Sequence, residues 1–307
     1  MYLRRLWWGP VVWVLLHMVL LLSVFSPLAI ITFALLMIPI VVLFVQWSVP
    51  KFSLFFGIEL ILLVGLFQSF GLIAALIALF FLPTALVIGT MYKKRVSARK
   101  VLISGTLTML AQLLLTLLIA TLFGFNVTTE LRQVVAESMA LLPESVKSYV
   151  NEEALDQVIR LMIQMLPLYF ICFSGLCVAV THTLARRILN RGGARIEGLK
   201  PVREWMLPKS LVWYFMAALL LDFLIRPSTD NMITMILRNL IPLLTLAFSI
   251  QAIAFLFYVA HVNRWNRALP IAGIIAMVIF PFIQYIFSVL GVLDVAFSLR
   301  QKISGKK

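Results

Sequence analysis

Charge is scarce in this chain, and acidic charge most of all. Of 307 residues only 12% are Asp, Glu, Lys or Arg, about half the usual share, and twelve acidic residues face twenty-six basic ones. So little charge cannot keep a soluble surface hydrated over a chain of this size, which argues against a water-soluble globular protein. Cysteine is nearly absent: Cys172 and Cys177 lie in one apolar run, at a spacing that fits neither a Cys-x-x-Cys site nor a loop staple. They read as small, polarizable packing residues.

The motifs of catalysis are missing too. Arg191-Gly192-Gly193-Ala194 lacks the Lys-Ser/Thr of a phosphate-binding loop, and His17, His182 and His261 stand apart with no His-Glu-x-x-His. Ser104-Gly105 and Ser174-Gly175 lack the preceding glycine of a Gly-x-Ser-x-Gly elbow, and Glu152-Glu153 is followed by Gln157 where a glutamate-type membrane protease carries Arg. No catalytic residue, metal ligand or cofactor is therefore assigned, and the chain is not read as an enzyme.

What is abundant is apolar sequence. Hydrophobic residues make up 63% of the chain, against about 45–50% in soluble domains, and they fall in long uninterrupted runs. Hydrocarbon offers no hydrogen-bond partners, so a spanning segment must be a helix or part of a closed barrel, and runs without strand alternation exclude the barrel. The expected fold class is all-α: a polytopic transmembrane bundle of eight or nine spans, each of about 20 residues. The candidate spans are Val11 to Phe25, Leu28 to Trp47, Phe52 to Phe70, Gly71 to Tyr92, Val101 to Phe125, Leu161 to Ala185, Ser210 to Ile225, Met232 to Ala260 and Leu269 to Val292. Arg4 and Arg5 precede the first, no small-x-small cleavage site follows it, and it reads as an uncleaved helix.

The excess of basic residues could point to nucleic acid, but they sit in short links between apolar runs, where they set topology. With the amino terminus inside a bacterial cytoplasmic membrane, Lys93, Lys94, Arg95, Arg99 and Lys100 are cytoplasmic, as are Arg264, Arg267 and the basic loop 186–209. Residues 126–160, with six acidic and three basic residues, then lie outside. The order is thus 1–125, about five spans; 126–160, extracytoplasmic; and 161–307, three to four more spans. Within the external stretch Leu131, Val134, Val135, Met139 and Leu142 recur at helical spacing, Pro143 ends that run, and Asn151 caps a second amphipathic helix starting with Glu152 and Glu153. The last apolar segment is ambiguous. A full crossing, the preferred count of nine, leaves Arg300, Lys302, Lys306 and Lys307 outside against the charge rule, whereas a break at Pro281 makes a re-entrant hairpin and eight.

Ionisable groups inside a membrane are costly and so are candidates for function. Glu59, in the middle of the third span, is either a binding or proton-coupled carboxylate facing a polar cavity, or a protonated residue bonded to a neighbouring helix. His17, Gln68 and Gln112 are weaker candidates for binding and read first as interhelical hydrogen-bond formers. Asp222 and Arg226, four apart, read as an interfacial ion pair. Ala268-Ala272-Ala276 and Ala74-Ala78 are small-residue ladders suited to close packing against another helix, of this chain in the preferred reading or of a partner.

Some landmarks are shared with a known group. Ser26-Pro27-Leu28, Pro39 within the second apolar run, Lys51, Trp205-Met206-Leu207-Pro208, and Gly291-Val292-Leu293-Asp294 followed by Arg300 resemble the YybS-like family of bacterial membrane proteins, a group of unknown function. That family is distantly similar to the substrate-binding components of energy-coupling-factor transporters. The resemblance implies a solute-binding membrane component whose partners are a coupling subunit and ATPases, with a small-molecule ligand it does not identify and no nucleic acid. The alternative is a scaffolding or interaction protein of the cell envelope or of sporulation.

Overall fold

The computed structural model describes residues 9–141, 143, 151–225, 231–266 and 268–304, and these are helical almost throughout. The helices are α1 (Pro10–Ser23), α2 (Ala29–Leu35), α3 (Met37–Gln46), α4 (Val49–Lys93), α5 (Ala98–Leu122), α6 (Val127–Ala140), α7 (Glu152–Gln164), α8 (Leu166–Arg191), α9 (Ser210–Leu224), α10 (Met232–Val262), α11 (Ala268–Ile279), α12 (Ile283–Phe297) and α13 (Leu299–Ser304). Five stretches among the described residues are long and apolar enough to cross a membrane: Ala29–Gln46, α4, α5, α8 and α10. Contacts divide the chain into two units, one running through Asn126 and resuming at Tyr169–Leu199, the other made of Val127–Leu168 and the chain from Lys200. This division cuts across the linear order of 1–125, 126–160 and 161–307, because most of α8 packs with the helices that precede residue 126.

In the first unit, Ala29–Gln46 is one apolar stretch with a joint at Leu36. Pro39 has no N–H to donate to the Leu35 carbonyl, and the helix is interrupted there. The longest element, α4, has 45 residues and if straight would measure about 67 Å, twice the hydrocarbon thickness. It is not straight. Phe52 packs edge-on against Phe44 with ring centres 5.3 Å apart, while Lys93, 41 residues later, donates to the Trp47 carbonyl at 3.1 Å and lies 4.1 Å over the same Phe44 ring. Both ends of α4 thus meet one end of α3, and the chain reverses at Gln68, the one non-helical residue inside the helix (φ 48°, ψ −119°). The turn is tight enough that a Cβ on Gly71 would lie 1.9 Å from the Leu63 carbonyl oxygen. These two arms are the third and fourth spans of the sequence pattern. Phe52, Phe56, Glu59 and Leu63 are the buried face of the first, and Ala74 and Ala78 are fully enclosed on the second.

In the second unit, α6 and α7 appear where amphipathic spacing puts them. Asn151 caps α7, its side chain accepting from the Glu153 N–H at 2.9 Å, and Arg132 joins the two helices by an ion pair to Asp156 at 3.0 Å. Leu131, Val135 and Met139 form the half-buried stripe of α6, with Val134 exposed; Leu142 lies outside the described residues.

The preferred full ninth crossing is corrected by the carboxyl-terminal helices. Helix α11 has 12 residues and α12 has 15, about 18 and 22 Å, each short of the hydrocarbon core. They are separated at Phe280-Pro281-Phe282, where proline cannot continue the i→i−4 ladder. Helix α12 then runs beside α10 in the same direction: Gly291 lies against the Phe248 backbone, Asp294 bonds to Gln251, and Tyr258 donates to the Arg300 carbonyl at 3.3 Å. Arg300 in turn donates to the Arg203 carbonyl at 2.7 Å, so the tail returns to the side of the basic 200–209 segment. The re-entrant hairpin removes the conflict with the charge rule. The expected packing ladder on α11 is also corrected, since Ala268 and Ala272 are exposed and the helix turns Pro270 and Gly273 inward instead.

Two outcomes follow for this fold. A Cβ at residue 291 would sit 1.9 Å from the Phe248 carbonyl oxygen, so Gly291→Ala is expected to destabilise the detergent-solubilised protein by about 2 kcal/mol or more. Gly175→Ala, where nothing lies within 4 Å, should be neutral or stabilising by about 0.5–1 kcal/mol. Thermal unfolding of the two variants checks the contrast. A reporter active only in the cytoplasm, placed at the carboxyl terminus, should match one inserted within 192–199; opposite signals would restore the straight crossing.

Candidate functional site

The most enclosed ionisable pair joins α1 to the first arm of α4. His17 Nδ1 and Glu59 Oε1 are 2.7 Å apart, and each residue is 1% exposed. Phe56 stacks near the imidazole, and Ile40, Leu43, Trp47 and Phe52 complete an apolar wall that leaves no space for a water molecule. The carboxyl therefore faces a neighbouring helix, and among the described residues its immediate surroundings are closed to water. Whether the imidazole nitrogen donates or accepts in this contact depends on its tautomer. His17 Nε2 is buried with no hydrogen-bond partner among the described residues.

The other sequence candidates scatter. Gln112 on α5 accepts from the Thr84 hydroxyl and donates to the Phe80 carbonyl, thereby holding α5 to the second arm of α4. Gln68 is exposed at the reversal of α4 and joins no polar group of the buried pair. Asp222 is exposed near the end of α9, and Arg226 lies outside the described residues, so their pairing does too. Arg238 bonds to the side chain of Gln164.

Two further buried sets are present that spacing does not reveal. Tyr92, at the end of α4, meets His182 of α8 with its hydroxyl 2.9 Å from Nδ1. In the second unit Asp294 is fully buried, and its Oδ2 accepts from Gln251 Nε2 at 2.6 Å and Arg300 Nε at 3.0 Å. Gln251 Oε1 accepts from the Leu207 N–H at 3.0 Å, so α10, α12, α13 and the 203–207 segment share one polar node. Arg300, six residues after Asp294, would point elsewhere on a continuous helix; left-handed Ser298 (φ 49°) turns the chain and brings it back. The Trp205 to Pro208 and Gly291 to Arg300 landmarks thus converge here. A sequence signal existed in the lone carboxylate of an apolar run followed closely by arginine.

A half-open cleft of about 580 Å³, lined in part by Arg203, His261, Arg264 and Trp265, lies beside this node. Among the described residues no three His, Cys, Asp or Glu side chains gather as a metal site would require.

The chain belongs to the family of predicted membrane proteins designated DUF2232, whose family model matches residues 12–295. It is 25% identical over 313 residues, covering 98% of each chain, to YybS of Bacillus subtilis (strain 168), described as an uncharacterized protein. No solved structure matches.

The Asp294 node makes a specific demand. Asp294→Ala leaves the Arg300 guanidinium without its buried counter-charge and should cost about 3–5 kcal/mol in detergent unfolding, whereas Asp222→Ala at an exposed position should stay within about 0.5 kcal/mol. Equal effects would show that the node is not enclosed.

Proposed function

We propose, starting from the chain's place in a family of membrane proteins, that it is a solute-binding component of a transport system energised by a separate ATPase module. In this reading the His17–Glu59 pair is the latch that holds the first unit closed. The observation that carries the proposal is the sealing of an ionisable pair among apolar helices. Membrane-embedded charges are expensive, and those that persist commonly serve a substrate or proton pathway. Closed and open conformations would differ in whether Glu59 meets His17 or a solute, which gives the solute a differential affinity for one state. The protein then acts as a carrier and not as an enzyme. The distribution of Lys and Arg supports a multi-pass placement in the bacterial cytoplasmic membrane with the amino terminus inside.

The test is a thermal-shift screen of vitamins and metal ions on the wild type and on Glu59→Gln, coupled to identification of proteins that co-purify in mild detergent. A bound solute at 100 times its Kd should stabilise the wild type by about 2.7 kcal/mol, and Glu59→Gln should lose most of that. An ATPase pair with a coupling subunit is the expected company. If no solute shifts either form and envelope or division proteins co-purify instead, the transport reading fails in favour of scaffolding.

A further inference from the structure

A second feature of the first unit is independent of the transport reading. Between α1, the α2–α3 stretch and α8 runs a groove of about 380 Å³ with an almost wholly apolar lining, within the size range of small-molecule sites. Its direction can be read from the pairing of α1 with α2: Ser23 and Thr32 bond at 2.9 Å, so these two segments run antiparallel, and Leu20 and Leu35 line the end of the groove nearest that bond. Trp13 lies seven residues, about 10 Å, back along α1. Two arginines, Arg187 and Arg191, line the same groove from α8. They are four apart and so on one helix face, both are exposed, and they stand in the last turns of α8 before the basic segment. No ion pair of either occurs among the described residues. Trp13 is 7% exposed, and its indole N–H has no acceptor among the described residues.

An apolar channel in the hydrocarbon, two cations at its interfacial end with no ion pair among the described residues, and a buried donor with no acceptor among them describe one kind of occupant. We propose that the groove is a binding site for an anionic phospholipid of the leaflet that faces the basic segments. The phosphate lies between Arg187 and Arg191, and one acyl chain lies along the groove toward Leu20 and Leu35. Zwitterionic lipids share the chain but cancel the phosphate charge, and soluble phosphates share the charge but lack the chain. Selectivity therefore requires both parts of the site.

The full-length protein in mild detergent, examined by native mass spectrometry with added phosphatidylglycerol or phosphatidylcholine, tests this. The wild type should retain one phosphatidylglycerol under activation that strips phosphatidylcholine. The double variant Arg187→Gln/Arg191→Gln should lower the retained fraction about tenfold, while Arg203→Gln/Arg264→Gln, with the same change of charge in the other unit, should leave it within twofold. Leu20→Trp, which fills the far end of the groove, should also lower retention with both arginines intact. Thermal unfolding of each variant establishes that it is folded. The proposal is overturned if phosphatidylcholine is retained equally, if the two arginine pairs behave alike, or if soluble glycerol phosphate displaces the lipid at equal concentration. None of these outcomes bears on solute binding at Glu59, so failure here and failure of the transport reading are separable.

Discussion

Hydrocarbon has no hydrogen bonds to offer, and that constraint organises this molecule. Hydroxyls such as those of Thr108 and Thr245 can turn back on their own helix, but the larger polar side chains meet partners on other segments far away in sequence: His17 with Glu59, Gln112 with Thr84 and Phe80, Tyr92 with His182, and Gln251 with both Asp294 and Leu207. Apolar faces rich in Leu, Ile and Phe can slide past one another at little cost, since lipid is as apolar as they are. The polar contacts are what distinguish one register from the next. Close backbone approach does the rest, at Gly71 over Leu63 and at Gly291 over Phe248, where only a hydrogen in place of Cβ fits.

Breaks in the helices matter as much as the helices. The Gln68 reversal folds 45 residues into two arms that suit a bilayer, and the interruption at Pro281 keeps the last apolar segment from crossing and sends the basic tail back toward Arg203. Both devices reconcile local hydrogen-bonding rules with the global placement of charge. The left-handed Ser298 is a third, for it closes the Asp294 node by redirecting Arg300.

The helical class, the paired spans on either side of residue 70, the two amphipathic helices within residues 126–164 and the Asn151 cap were all legible in the sequence, because hydrophobic run length and 3.6-residue spacing carry them directly. Glu59 was legible as an anomaly, an acid amid apolar residues. Its partner was not, since a sequence separation of 42 between His17 and Glu59 leaves no periodic trace. Tyr92 and His182, separated by 90 residues, were invisible for the same reason. Gln68 stands at the reversal of α4, a role that a polar residue near a span end fills without any sign in the apolar pattern. The ladder on α11 misleads because small residues permit close packing without requiring it.

His17 and Glu59, 2.7 Å apart and both buried, form one sealed, mutually dependent pair. A double-mutant cycle measures that dependence directly, with His17→Leu, Glu59→Leu and the double variant unfolded in the same detergent. Each single change should be strongly destabilising, because it strands the other polar group, and the double change nearly neutral, with a coupling of at least about 2 kcal/mol. Additive losses would mean that the two groups are separately solvated, and would contradict the sealed pair.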